Sequence, residues 1–389
     1  MYTFKKILIV ILFIILSTVE IFAIPAFARK YKLSCQTCHS PIPSLKPYGD
    51  DFAGNGFRFP EMQSTRYFVE TGDDQLSLIR DFPIAVRLDF HMSLKTGEQK
   101  NGLDLQSPYL VKLLSGGELS SKLSYYFYFY MNERGKVVGV EDAYLMFNNF
   151  FDQDFDIYFG QFQISDPLFK RELRLTLEDY QVYKIHVGNS STNLAYDRGL
   201  MLTYGLETGT DIIFEIVNGN GIDEADAIKN FDKDKYKNYF LRVSQDVGEY
   251  LRIGGFGYLA KEELDNISEI NDNITMLGPD LTLGNDKIEL NLQYVWRKDS
   301  KALHNIVNEN VKTHGGIAEV IYKPNGDESK WYTVGLFNWI NSDLDNLDYK
   351  TLALHAGYLY RRNIRMVAEY KYDLKEKYSM FSIGMISAF

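Results

Sequence analysis

From residue 83 to the last residue, apolar and polar side chains alternate with a period of two. In Ile84-Ala-Val86-Arg-Leu88-Asp-Phe90-His-Met92-Ser-Leu94 every even position is apolar, and the odd ones carry Ala, Arg, Asp, His and Ser. The pattern returns in Ile288-Glu-Leu290-Asn-Leu292-Gln-Tyr294 and in Ile364-Arg-Met366-Val-Ala368-Glu-Tyr370-Lys-Tyr372. Leu123, Tyr125, Phe127, Phe129 and Met131 share a face opposite Lys122, Ser124, Tyr126, Tyr128 and Tyr130. Successive side chains of a strand point to opposite sides, so each such segment has one apolar and one polar face. About sixteen segments follow the rule, starting near residues 83, 107, 119, 137, 154, 197, 210, 235, 249, 274, 286, 314, 330, 348, 364 and 377.

Their connections have a rhythm. Gly116-Gly117, Leu206 to Gly209, Asp246 to Glu249, Gly284-Asn285 and Arg361 to Asn363 read as tight turns. Longer connections fall at 95–106, 164–196, 219–234, 261–271, 299–313 and 341–347. Long after odd strands and short after even ones is the build of an outer-membrane barrel with large outer loops and short periplasmic turns. The connections at 133–136 and 373–376 break the rhythm by being short. Segments near 137, 274 and 314 are the weakest, and Pro279 argues against a clean central strand. A soluble sandwich or lectin-like barrel explains the alternation, but neither the rhythm nor so many strands in one unit. The end, Gly384-Met-Ile-Ser-Ala-Phe389, resembles the assembly signal of bacterial outer-membrane proteins, with Ser387 where an apolar residue is usual. The expected fold is all-β, an antiparallel barrel of about sixteen strands in outer-membrane lipid.

Composition supports an ordered, exported chain. Aromatic residues make up 15% of the 389 positions, which excludes disorder. Lys5 and Lys6 precede an unbroken apolar run from Ile7 to Leu16, about half of the ~20 residues needed to span a bilayer. A signal peptide over 1–23 is expected, with Ala26-Phe-Ala28 offering cleavage as late as 28. Its loss moves the net charge from −10 to about −11. Residues 24–80 then form a separate segment and connector, and 81–389 the barrel. Prolines 41, 43 and 47 and glycines 49, 54 and 56 interrupt the segment, leaving a short helical turn at Pro47 to Ala53. So short a piece needs a cofactor or another domain to complete its packing.

That segment holds both cysteines of the chain, in Cys35-Gln-Thr-Cys38-His39. Two thiols at this spacing reach the two vinyl groups of one porphyrin, and the adjacent imidazole becomes the proximal iron ligand. Neighbouring cysteines make a poor structural disulfide, and the βαβ setting of a redox CxxC is missing. Zinc would need two more ligands close by, and the next histidine is His91. One covalent haem c on Cys35 and Cys38, with His39 as ligand, is the expectation.

The sixth iron position has several candidates. His91 shares the face of Arg87 and Asp89 and points into the lumen by parity, on the first strand after the haem segment. Met62 lies nearer in sequence and would give His/Met ligation with a higher potential. Met92 has the wrong parity and should face lipid. His186 falls in the long 164–196 connection, and His304 and His314 read as outer-loop residues. The 164–196 connection, with Lys170-Arg-Glu-Leu-Arg174 and Glu178-Asp-Tyr180, is expected to fold inward as a constriction over the haem. Inward bases Arg87, Arg297, Arg365 and Lys371 are matched by inward acids Asp89, Glu289, Glu369 and Asp373, so no anion ladder lines the lumen. No acid–base pair, nucleophile triad or metal cluster points to bond-making catalysis.

Two family resemblances sharpen this. Phe27-Ala-Arg29, the haem motif, Leu45, Gly49, Phe52 and Gly56-Phe57 resemble the opening of fused cytochrome–porins, the monohaem outer-membrane cytochromes linked to iron oxidation. Glu141-Asp-Ala143-Tyr-Leu145, Gly160-Gln-Phe162, Asp197-Arg-Gly199 and Asn218-Gly-Asn-Gly221 resemble phosphate-selective and related sixteen-stranded porins. The resemblance implies a haem segment that plugs a barrel and electron transfer across the outer membrane. The partners implied are an extracellular donor such as Fe(II) and a periplasmic electron-carrier protein. A porin with a haem-bearing plug or sensor, or outward transfer to an extracellular acceptor, are the alternatives.

Overall fold

The structure is a computed structural model that describes residues 26–59, 82–97, 102–265, 270–303 and 310–389, with isolated positions between 69 and 79. The signal-peptide region, Met62, His304 and most of the connector lie outside the described residues. Sixteen antiparallel strands close into one barrel. The first eight are β1 (Ile84–Thr96), β2 (Gly102–Ser120), β3 (Leu123–Glu133), β4 (Gly139–Phe147), β5 (Phe155–Gln163), β6 (Tyr196–Leu206), β7 (Thr210–Val217) and β8 (Asn238–Val247). The remainder are β9 (Leu251–Asp265), β10 (Ile270–Gly284), β11 (Ile288–Asp299), β12 (Val311–Tyr322), β13 (Trp331–Ser342), β14 (Tyr349–Arg361), β15 (Ile364–Asp373) and β16 (Tyr378–Ala388). Closure comes from β1 on β16, and Val86 and Phe389 exchange backbone bonds of 2.7 and 2.9 Å. A closed sheet leaves no unpaired strand edge, which is what hydrocarbon demands of a spanning chain.

Parity sorts the two faces as the alternation predicts. On β8, Tyr239, Leu241 and Val243 are exposed while Phe240, Arg242 and Ser244 are buried. On β1, Asp89, His91 and Ser93 are buried inside and Leu94 is exposed outside. The outer surface is therefore an apolar belt, the face a barrel presents to lipid.

Three local expectations are changed by the structure for physical reasons. Gly116-Gly117 is not a turn, because β2 runs on to Ser120. A side chain at Gly116 would crowd Tyr126, Phe57 and Phe27, so the glycine makes room for aromatic rings of the N-terminal segment. Pro279 sits inside β10, opposite Gly255 of β9. The register towards β11 skips it, and Gln293 Nε2 donates to its carbonyl at 3.0 Å, so the missing N–H breaks no ladder bond there. His314 also differs from expectation: it lies in β12, exposed on the outer face, and not in a loop.

Candidate functional site

The Cys35-Gln-Thr-Cys38-His39 motif is built on a tight local fold. Helix α1 (Ala26–Tyr31) leads into a single helical turn at Cys35–Thr37, and the His39 amide donates to the Cys35 carbonyl at 3.0 Å. The chain then doubles back, with His39 and Leu45 paired in an antiparallel bridge and Lys46 N on Cys38 O at 2.9 Å. Helix α2 (Pro47–Gly54) starts with Pro47 in its first turn. A Cβ at Gly49 would stand 2.3 Å from the Cys38 carbonyl oxygen, so glycine lets this helix lie against the motif.

The tautomer of His39 is fixed by its surroundings. Its Nδ1 is 2.9 Å from the Pro43 carbonyl oxygen. A carbonyl can only accept, so Nδ1 carries the proton and Nε2 keeps its lone pair. Burial pushes the imidazole below its usual range, which favours the neutral, ligating form. Cys35 and Cys38 are unbridged thiols, and burial pushes both above the ordinary thiol range.

All three residues line a cavity of about 460 Å³ inside the barrel. Such a volume lies within the ~300–1,000 Å³ typical of small-molecule sites. The N-terminal segment is its floor, packed as an aromatic stack. Phe27 lies on Phe57 with centroids 5.0 Å apart, and Phe57 lies on Tyr126 of β3 at 5.1 Å. Tyr126, Tyr144, Tyr158 and Met201 furnish one wall, and Ala85, Arg362 and Arg365 another. The roof is part of the 164–195 connection, through Asp166, Lys170, Glu172 and Leu173.

The floor docks on the short-turn end of the barrel. Arg29 donates to the Ile84 carbonyl, and Gln36 Nε2 to Asp327 O at 2.8 Å. Lys46 pairs with Asp327 at 3.1 Å, and Lys323 Nζ donates to Ser40 O at 3.1 Å. Arg58 donates to the Ser121 carbonyl and lies 3.6 Å from Glu118, with both side chains buried.

The roof does fold into the lumen, as its length predicts. Lys112 and Glu172 pair at 2.6 Å, and Tyr128 and Tyr130 donate to the same carboxylate. Farther round, Tyr180 donates to Glu319 at 2.9 Å, and Glu369 accepts from the amides of Leu177 and Glu178. Within the loop, Asp179 gathers Arg171 at 2.7 Å, Lys184 at 3.1 Å and Arg174 at 3.8 Å.

The lumen bases are consumed by neighbours. Arg87 pairs with Asp89 at 2.7 Å, Arg297 with Asp299 at 2.5 Å and Lys371 with Glu178 at 3.1 Å, while Arg365 donates to Tyr332. Each of these four inward bases therefore has a partner.

The structure does not bring His91 to the cavity. β1 touches the cavity at Ala85, Val86 and Arg87. His91 lies beyond the Arg87–Asp89 pair, buried against Tyr109 with its Nε2 unpartnered. His186 is exposed in the inward loop and bonds Asn193 at 2.9 Å. The sequence reading overlooked Met201 and His355. His355 is buried on β14, where its Nδ1 meets Glu369 at 2.9 Å and so steadies the carboxylate that holds the loop. Both stand at the lumen-facing parity of β6 and β14, which is the signal that could have found them.

Solved structures share the barrel. The anion-selective porin from Comamonas acidovorans aligns with a TM-score of 0.57 at 10% identity, over 79% of this chain and 99% of that one. The outer-membrane channel DcaP of Acinetobacter baumannii gives 0.58 at 11% identity, over 79% and 97%. Salmonella typhi OmpF, in complex with daunomycin, gives 0.57 at 10%, over 79% and 97%. The fold is that of outer-membrane porins. No family model and no curated protein matches the sequence.

Proposed function

We propose that this chain is a monohaem c-type cytochrome–porin of the bacterial outer membrane that carries electrons between an extracellular donor such as Fe(II) and a periplasmic electron-carrier protein. The observation that carries the reading is the placing of Cys35, Cys38 and His39 on one cavity between plug and inward loop. The residues fit haem c. Cys35 and Cys38 line the cavity as attachment points, and the Pro43 carbonyl holds the His39 tautomer protonated at Nδ1. Mostly apolar, aromatic walls exclude water, and Arg362 and Arg365 supply positive charge for the two propionates. Haem, when bound, supplies one-electron exchange that side chains of this kind do not.

The net exchange is one electron: Fe(II) outside becomes Fe(III), and the periplasmic carrier is reduced. The plug positions the site near the periplasmic mouth, where a carrier protein can approach, and the inward loop stands between the cavity and the outer mouth. The inward bases Arg87, Arg297, Arg365 and Lys371 are all partnered, which suits a cationic donor better than an anion channel. Purified protein in vesicles, with a soluble c-type cytochrome inside and Fe(II) outside, tests this. Reduction of the enclosed cytochrome that requires the protein is the expected result. An open channel that passes ions while the enclosed cytochrome stays oxidised would make the chain a porin with a haem-bearing plug instead.

A further inference from the structure

A c-type haem held by His39 has a second axial position, and the cavity wall limits what can fill it. An axial ligand must bring a free lone pair from a side chain that faces the cavity. Of the lining donors, Lys170 and Asp166 are engaged with each other at 2.6 Å and Glu172 with Lys112 at 2.6 Å, while the Asp50 carboxylate is a harder oxygen donor than the thioether or imidazole that c-type haem iron takes. Arginine has no lone pair to give. The lining tyrosines would have to surrender a proton first. Among histidines and methionines, only His39 and Met201 line the cavity among the described residues.

We propose that Met201 is the sixth ligand, so that the barrel wall and not the haem-bearing segment completes the iron site. The inference rests on haem attachment at Cys35 and Cys38. Met201 lies on β6, registered between Tyr158 of β5 and Glu215 of β7, and is 7% exposed. Its thioether is neutral, needs no deprotonation and gives up no hydrogen bond to coordinate. Soft sulfur opposite imidazole is a stable pairing for a c-type haem and raises its potential. A wall ligand also has a structural result, because iron would tie the plug to the barrel independently of the plug's polar contacts.

The test uses the full-length protein, matured with haem and purified in detergent. Covalent haem is first shown by haem staining after boiling. The oxidised wild type should show the near-infrared charge-transfer band of methionine sulfur on ferric haem. Met201→Leu, a volume-conserving change, should lose that band, become high-spin and show a lower midpoint potential. Met201→His should restore a low-spin spectrum without the band. Heat-dependent gel mobility reports that each variant still forms the barrel. Retention of the band in Met201→Leu, or its loss in Met62→Leu, overturns the assignment, as does a wild type whose low-spin character vanishes with His91→Ala. A folded barrel with no covalent haem overturns the attachment reading itself, a separate outcome visible before any spectrum is taken.

Discussion

The cavity has a floor and a roof, and the two are held by different physics. The roof, residues 164–195, closes its charges on itself and on the walls: Asp179 with three cations, Glu172 with Lys112, Glu369 with two loop amides. The floor is a stack of aromatic rings with a handful of polar contacts to the short turns. The floor also sets Cys35, Cys38 and His39 along the space between them. The roof thus belongs to the barrel, whereas the floor is an added module that carries the Cys35-Gln-Thr-Cys38-His39 motif.

If so, the two should fail differently. Asp179→Ala strips the partner from buried Arg171 and its neighbours, a loss of about 3–5 kcal/mol for an uncompensated buried charge. The largest effect is therefore expected here, as a lower urea midpoint for the whole barrel and a rise in single-channel conductance. Arg58→Ala leaves Glu118 buried without this cation and removes the donor to Ser121. About 3 kcal/mol should be lost from plug docking. Limited proteolysis would then cut the N-terminal segment faster, with the barrel's own urea midpoint unchanged. A barrel that unfolds with the plug would break the distinction.

Two smaller effects depend on pH. Asp50, on α2 and facing the cavity, is pushed up to about 6 by burial, against the pull of Lys170. A new negative charge beside the haem favours the ferric state, so the midpoint potential should fall as pH rises through about 6. Asp50→Asn should flatten that dependence. Burial pushes the Asp327 carboxyl up, but the bonds from Ser40 and Lys46 and the charges of Lys46 and Lys323 together outweigh it and hold it below the usual carboxylate range. A lowered carboxyl contributes docking stability above its unfolded pKa of ~3.9, lost as pH falls through the folded value. Lys46→Ala should cost under about 1 kcal/mol, because the pair is half-exposed. Protease sensitivity of the plug at neutral and acid pH reads both.

The barrel was legible because its determinant is local. A period of two, repeated along the chain, fixes which face meets lipid, and the strand starts near 154, 210, 286, 330, 348, 364 and 377 fall close to β5, β7, β11, β13, β14, β15 and β16. What escaped depended on distant partners. Gly116 reads as a turn until the rings of Phe27 and Phe57 are seen beside it. Pro279 reads as a strand breaker until Gln293 is found bridging its gap. The haem motif was plain from spacing, yet parity places His91, Met201 and His355 alike in the lumen and says nothing of height along it. Only the fold separates the methionine that lines the cavity from the histidine that lies beyond the Arg87–Asp89 pair.

The central claim is a covalent haem on Cys35 and Cys38 inside a porin barrel. Mass spectrometry of the protein, produced with c-type haem maturation and denatured under reducing conditions, tests it most directly. The claim predicts one haem retained on the polypeptide, mapped to the peptide bearing Cys35 and Cys38 and absent from Cys35→Ala/Cys38→Ala. A folded barrel whose mass is that of the polypeptide alone, with both thiols free to alkylate, would contradict it.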